Sequence, residues 1–160
     1  MMRYAGLMVC AAIVVLAGCG GGQQVPELVI SGVWSRPVAV PAQDSAAGVA
    51  DTPHAGFNGV VYLQVENRGG AADRLLRAEA EVCAVTELHE TIMQEGRMRM
   101  QPVTNGLEIP ARGRLELSPG GHHVMLMNLK RGLAPGDSIA VQLEFERSGV
   151  RTVFSHIRQP

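Results

Sequence analysis

Short apolar groups alternate with polar positions along most of this chain, and turn signals separate them. Residues 59–66 show the pattern most clearly, because Val61, Leu63 and Val65 occupy every second position. In a β-strand, side chains with this spacing share one face. The segment is therefore predicted to be a central strand with a continuous apolar face.

Strands are predicted along almost the whole chain. Similar runs predict further strands at 28–34, 73–80, 85–93, 97–103, 107–109, 114–117, 122–128, 138–146 and 151–157. Two of these runs flank Gln94-Glu95-Gly96, and a short connection containing glycine is typical of a hairpin. Residues 38–57 contain Pro41 and Pro53 but no sustained period, which indicates a long loop. Many short strands with frequent turns favour a single all-β domain, a Greek-key β-sandwich.

The first residues predict a targeting segment rather than part of the fold. Arg3 gives a short basic start, and the apolar run at 5–17 is too short to span a membrane but suits a signal peptide. The run ends in Leu16-Ala17-Gly18-Cys19, which resembles the cleavage box of bacterial lipoproteins, where the cysteine carries lipid. The alternative is an ordinary secretory signal in which Cys19 has no role.

The lipoprotein interpretation divides the chain into three parts. Residues 1–18 are predicted to be the signal peptide, 19–27 a flexible lipidated tether, and 28–160 the folded domain. The glycines and glutamines of the tether bury too little apolar area to offset the entropy of ordering it. We therefore expect the domain in the periplasm or cell envelope, held near a membrane through lipid on Cys19.

Charge and cysteine content narrow the function classes. The chain has 14 Lys plus Arg against 15 Asp plus Glu, so it has no broad attraction for a phosphate backbone, and no nucleic-acid partner is expected. The chain has 3 cysteines, and on the lipoprotein interpretation Cys10 would leave with the signal and Cys19 would carry lipid. Cys83 then remains alone and cannot form an intramolecular disulfide. Its apolar surroundings predict a small buried hydrophobe.

Candidate chemistry comes from the placement of histidine and methionine rather than from their number. His123 and Met125 lie two positions apart on a predicted strand, so both side chains fall on one face. His89 and Met100 fall on the two arms of the predicted hairpin. Because paired arms bring His89 and Met100 close together, the chain offers two His–Met pairs as candidates for one metal site.

Two imidazoles and two thioethers have a definite chemical preference. Soft sulfur donors select Cu(I), whereas carboxylates and water suit magnesium, calcium or manganese. Thioethers bind without losing a proton, so only the histidines make binding sensitive to acid. Methionine also cannot be consumed by disulfide formation in an oxidising compartment. The donor set therefore predicts a Cu(I) site in an exported protein.

The spacing of these residues resembles that of the PCu(A)C periplasmic copper chaperones. The family signature is a histidine, ten residues, a methionine, about twenty-one residues and then His-x-Met. Here ten residues separate His89 from Met100, twenty-two follow, and His123-Val124-Met125 completes the signature. The extra residue is expected in the turn Thr104-Asn105-Gly106. His122 would satisfy the literal count but would be out of phase with Met125, so His123 is preferred.

The resemblance covers most of residues 28–145 and includes Trp34-Ser35-Arg36-Pro37 and Pro119-Gly120-Gly121. It implies a cupredoxin-like fold and a non-enzymatic, monomeric metallochaperone for Cu(I). The implied recipient is the dinuclear copper centre of cytochrome c oxidase, reached directly through an oxidase subunit or through another copper chaperone. The 38–57 loop is longer than the family leads us to expect.

Other functions remain open at this point. Copper storage or resistance would use the same site. A copper electron carrier of the blue-copper type would need a thiolate such as Cys83 beside two histidines and an axial methionine. A sandwich that only binds other proteins would leave the histidines and methionines without a metal. Hydrolase motifs such as Gly-x-Ser-x-Gly or His-Glu-x-x-His are missing from the sequence.

The remaining histidines and methionines receive secondary interpretations. Met98 and Met127 share the strand phase of the candidate ligands, so they either pack or supply a spare sulfur, and packing is preferred. Met93 is predicted to pack. His54 is interpreted as an exposed loop residue, with an accessory metal contact as the alternative. His156, near the carboxyl terminus, is interpreted as having no metal role, with Cu(II) binding as the alternative.

Overall fold

The computed structural model describes residues 24–40 and 56–159. The predicted signal peptide 1–18, Cys19, the first part of the tether, His54 and most of the 38–57 loop lie outside the described residues. Within the described part, no helix has the length and apolar character needed to cross a membrane.

The described chain is built from ten strands that follow the apolar alternation. They are β1 (Leu28–Ser35), β2 (Gly59–Asn67), β3 (Asp73–Glu79), β4 (Cys83–Gln94), β5 (Arg97–Pro102), β6 (Leu107–Ile109), β7 (Arg114–Leu117), β8 (His122–Leu129), β9 (Ser138–Phe145) and β10 (Gly149–Ile157). Each strand predicted from the sequence corresponds to one of these. The all-β, single-domain prediction is confirmed.

The strands form one continuous hydrogen-bonded sheet in the order β5-β4-β8-β7-β2-β1-β10-β9-β3-β6. Neighbours such as β4 with β8 and β1 with β10 are far apart in the chain, so the connections cross over as in a Greek-key fold. The two ends of the sheet approach each other, because β3 contacts β4 and β6 contacts β2 and β7. Thr86 Oγ1 also donates a hydrogen bond from β4 to the Ala78 carbonyl oxygen in β3. The sheet therefore folds over one enclosed core, as a sandwich does.

The predicted apolar face of β2 lies in this core. Val61, Leu63 and Val65 are all buried. Tyr62 points to the opposite face and is buried as well, which the alternation alone did not predict. This part of the outer face is thus covered by neighbouring side chains, and it adjoins the candidate ligands.

Cys83 is buried at the start of β4, as predicted, and its thiol donates a hydrogen bond to the Ala80 carbonyl oxygen. Burial raises the pKa of the Cys83 thiol, so the neutral form is favoured. His89 is six positions farther along β4, a distance of about 20 Å. This arrangement does not provide the thiolate beside two histidines that a blue-copper site requires.

The chain enters the domain along the turn between β2 and β3. The Glu27 amide donates to Asn67 Oδ1 at 3.1 Å, and the Arg68 amide donates to the Glu27 carbonyl oxygen at 2.8 Å. A Cβ at Gly69 would lie only 2.2 Å from the Val25 carbonyl oxygen. The glycine is therefore required for the close approach of the last residues of the predicted tether.

Candidate metal centre

The pairing of β4 with β8 brings the two candidate histidines together. His89 lies directly opposite His123 in the ladder, and Glu87 lies opposite Met125. Opposite residues in an antiparallel pair share a face, and so do residues two apart on one strand. His89, His123 and Met125 consequently lie on the same face of the sheet.

His122 lies on the other face. It is opposite Glu90 in the ladder, with its Nε2 3.7 Å from Glu90 Oε2. Strand phase therefore separates His122 from His89 and Met125, and it is His123 that shares their face.

Met100 joins this face from β5. It lies opposite Thr91, which is two positions from His89 on β4. Met100 is therefore diagonal to His89, within reach of a long side chain. The four sequence-predicted residues lie on one face of three adjacent strands. Their burial is unequal, because His123 is only 3% exposed and Met100 is 61% exposed.

Each histidine has one ring nitrogen held by an oxygen acceptor. His123 Nδ1 lies 3.2 Å from the Gly121 carbonyl oxygen, and His89 Nε2 lies 2.8 Å from Glu87 Oε2. In neutral imidazole, the nitrogen beside an acceptor carries the hydrogen and the other nitrogen has a free lone pair. The contacts thus assign opposite tautomers to the two rings.

The other ring nitrogens are buried and unpartnered. His89 Nδ1 and His123 Nε2 are the two buried side-chain nitrogen or oxygen atoms without a hydrogen-bond partner among the described residues. Leaving such an atom unsatisfied costs about 1–3 kcal/mol. The two ring centroids are 5.9 Å apart. Histidines that bind metals commonly donate their second N–H to a carboxylate or carbonyl, and both rings follow this arrangement.

Burial also favours the ligand form of His123. Burial lowers the pKa of His123, the Gly121 carbonyl partly opposes this, and nearby His89 and His122 lower it further. The neutral imidazole that can bind a metal therefore persists at lower pH than in an exposed histidine.

Aromatic side chains continue the outer face beyond His123. The Tyr62 ring lies 6.4 Å from the His123 ring, and the Trp34 ring lies 4.9 Å from Tyr62. The guanidinium of Arg158 covers Trp34 at 4.7 Å, and that of Arg36 lies 5.9 Å from the Tyr62 ring centre. Sequence reasoning did not place these rings beside the site, although Trp34 and Tyr62 belong to segments that resemble the family. Tyr62 covers one side of His123, and Trp34 in turn packs against Tyr62.

Two further methionines lie on the face of the candidate ligands. Met93 and Met98 are opposite each other in the β4–β5 hairpin, and both are exposed. The prediction that Met93 packs was wrong, and so was the preference for packing at Met98. The reason is their position near the tip of the hairpin, where β4 extends past its pairing with β8 and β5 is an edge strand.

Met127 and His156, the two remaining residues considered as metal contacts, lie outside the group of four candidate ligands. Met127 is partly buried opposite Val85, two ladder positions beyond Met125. His156 is exposed on β10, which β1 and β2 separate from β8. Among the described residues, no group of three or more histidine, cysteine, aspartate or glutamate side chains could hold a metal. The candidate centre instead combines two histidines with thioethers.

Comparison with known sequences finds a family that spans nearly the whole described domain. The family described as "Putative lipoprotein LpqE-like" matches residues 28–155. A protein of Leifsonia xyli subsp. xyli, named as a putative lipoprotein, is 32% identical over 140 residues, which is 88% of this chain and 75% of the relative.

Solved structures share the fold. The copper-bound PCuAC domain from PmoF2 superposes with a TM-score of 0.58 at 21% identity, over 83% of this chain and 93% of that domain. The Cu(I) form of DR1885 from Deinococcus radiodurans superposes with a TM-score of 0.52 at 26% identity, over 89% of this chain and 85% of that protein. The described strands therefore form a PCuAC-type fold.

Proposed function

The chain belongs to the family described as "Putative lipoprotein LpqE-like", and on that premise we propose that it is an exported copper chaperone that carries Cu(I) as its cargo. One observation carries the proposal: two facing histidines each leave a buried ring nitrogen unpartnered, on a face shared with two methionines. The proposed ligands are His89, Met100, His123 and Met125.

The donor set fits Cu(I). Neutral imidazole and thioether are soft or borderline ligands that need no deprotonation at neutral pH. Glu87 and Gly121 hold the two rings with their free nitrogens available, so little reorganisation is needed when the ion arrives. The Cu(I) form of DR1885, a structural neighbour, supports the same cargo.

Unequal burial suggests how the ion is received and released. Met100 is exposed on an edge strand, so a donor or acceptor protein can approach the ion from that side. His123 is buried beside Tyr62 and keeps its position during the exchange. Release then proceeds by replacement of one neutral ligand at a time, with no change in the oxidation state of copper.

The proposal also covers where the protein is held in the cell and which protein receives its copper. A signal peptide at 1–18 and lipid on Cys19 would hold the domain at the membrane of the periplasm or cell envelope, and the lipoprotein name of the Leifsonia relative supports this. By resemblance to the PCu(A)C chaperones, the acceptor is the dinuclear copper centre of cytochrome c oxidase or another copper chaperone.

A competition titration tests the site. The mature protein should withdraw one equivalent of Cu(I) from a chromophoric chelator, and His123→Ala or Met100→Leu should weaken this capture. Met127→Leu is the matched control, because Met127 shares the face but lies farther along β8. Unchanged affinity in both ligand variants would refute the site assignment.

A deletion strain tests the destination. Loss of the gene should lower cytochrome oxidase activity when copper is limiting, and added copper should restore it. Normal oxidase activity together with greater sensitivity to excess copper would instead indicate storage or resistance.

A further inference from the structure

The tip of the β4–β5 hairpin presents three exposed methionines. Met93, Met98 and Met100 are 69%, 64% and 61% exposed. Every residue of β5 is exposed, including both of its methionines. We define these three residues as the methionine cluster.

The composition of this edge is unusual for a structural strand. Exposed edges generally carry charged or polar residues, which β5 has on its other face in Arg97, Arg99 and Gln101. Gln101 Nε2 there donates to Glu90 Oε1 at 2.6 Å. Methionine adds neither solubility nor strong strand propensity at an exposed position. Its distinctive chemical property is a soft sulfur donor.

The register makes the three methionines neighbours on one face of the hairpin. Met93 lies opposite Met98, which places their Cβ atoms about 5 Å apart. Met100 is diagonal to Met93 on one side and to His89 on the other. The connecting turn is tight, because Glu95 and Gly96 have φ of 52° and 75°, as a type I′ turn requires.

The cluster also lies near the turn between β7 and β8. The Met98 methyl carbon lies 4.0 Å from the position that a Cβ would take at Gly120. The next residue, Gly121, accepts hydrogen bonds through its carbonyl oxygen from the Thr91 amide and from His123 Nδ1. The methionines and the histidine pair therefore form one continuous row of potential metal ligands, which we call the donor row. It runs from the hairpin tip to the buried ring of His123.

We propose that Met93 and Met98, together with Met100, form a second Cu(I) site that captures the ion at the surface and passes it to His89 and His123. This inference rests on the proposed function. All donors are neutral, so the step exchanges thioether for imidazole ligands without moving a proton or an electron. Met100 is shared, so it can bind the ion before Met93 and Met98 release it.

The stoichiometry test uses the full mature chain. In a His89→Ala/His123→Ala background, one weakly held Cu(I) equivalent should remain, and X-ray absorption should show sulfur ligands without imidazole. Adding Met93→Leu/Met98→Leu should abolish this equivalent. Leucine preserves volume at these exposed positions, so circular dichroism should show the same fold in each variant.

The kinetic test uses the intact histidine pair. Met93→Leu/Met98→Leu should slow Cu(I) uptake from a chelator complex several-fold and leave the final affinity of the histidine site unchanged. Met127→Leu is again the control and should match the wild type in both measurements.

Three results would overturn the inference. If the Leu pair matches the wild type in uptake rate and in the weak equivalent, the capture site is refuted while the histidine site stands. If the Leu pair changes only transfer to a protein acceptor, the methionines form a docking face instead. If the wild type binds no Cu(I), the proposed function fails as well.

Discussion

The two ends of the donor row differ in almost every physical respect. On β8, His123 is buried, is held by the Gly121 carbonyl oxygen and packs against Tyr62. On β5, Met100 lies on an exposed edge strand with flexible methionine neighbours. The comparison suggests a division of labour, in which retention of an ion needs a preorganised ligand and exchange needs an accessible one.

Removal of the buried ligand, His123, should cause the largest loss of Cu(I) affinity. His123→Ala deletes the free Nε2, and the loss of Cu(I) affinity should exceed the roughly 10- to 100-fold effect typical of a change outside the ligand shell. A chelator competition at neutral pH measures it. His122→Ala is the control, because that side chain lies on the opposite face, and equal losses in the two variants would contradict the assignment.

Glu87 tests whether preorganisation matters. Glu87→Leu removes the acceptor that holds the His89 Nε2 hydrogen, so Cu(I) affinity should fall about 10- to 100-fold. Glu87→Gln keeps an acceptor oxygen and should retain more of the affinity. Glu90→Leu alters a carboxylate on the other face and should have little effect. An unchanged affinity in Glu87→Leu would show that the tautomer is not set by this contact.

Loss of the exposed ligand should have a smaller effect at equilibrium. Met100→Leu should weaken Cu(I) binding about tenfold, or about 1.4 kcal/mol, because nearby methionines can replace the lost sulfur. The same variant in a Met93→Leu/Met98→Leu background should lose more affinity than Met100→Leu alone. Equal losses in the two backgrounds, measured by the same competition, would show that the neighbours do not compensate.

A substitution at Asp73, which is remote from both regions, should leave Cu(I) affinity unaltered and lower the free energy of unfolding. Burial alone would raise the pKa of Asp73, but hydrogen bonds from Ser148 Oγ and from the amides of Arg147, Arg74 and Ser148 hold it below its ordinary value. The stabilisation is present above the pKa of an unfolded aspartate and is lost as pH falls through the lower folded value.

Asp73→Asn should therefore lower the free energy of unfolding by about 2 kcal/mol at pH 7, and this difference should shrink in acid. Urea unfolding at a series of pH values measures it. Glu79→Gln is the control, because Glu79 is an exposed residue of the same strand. A difference that is constant across the pH series would contradict the role of the charge.

Strand phase accounts for most of what could be predicted. The period of two placed His123 and Met125 on one face and excluded His122 from it, and the ladder has this arrangement. The pairing of β4 with β8 is non-local, so the sequence pattern alone could not place His89 opposite His123. The resemblance to a family brought these two residues together.

Burial and hydrogen bonding could not be predicted in the same way. The alternation marked Val61 and Val65 as core, but the burial of Tyr62 depends on Trp34 and His123 from other strands. Met93 and Met98 were expected to pack because methionine usually does. Both are exposed because the hairpin tip extends past the β4–β8 pairing and β5 is an edge strand. The unpartnered ring nitrogens depend on three-dimensional contacts that strand alternation does not specify.

The most direct test observes the two imidazoles themselves. Long-range ¹H–¹⁵N NMR of the metal-free protein should show the hydrogen on Nδ1 of His123 and on Nε2 of His89. One equivalent of Cu(I) should then shift His123 Nε2 and His89 Nδ1 strongly, with smaller shifts at the protonated nitrogens. Cu(I) shifts at His122 or His156 instead, with His89 and His123 unchanged, would contradict the proposed centre.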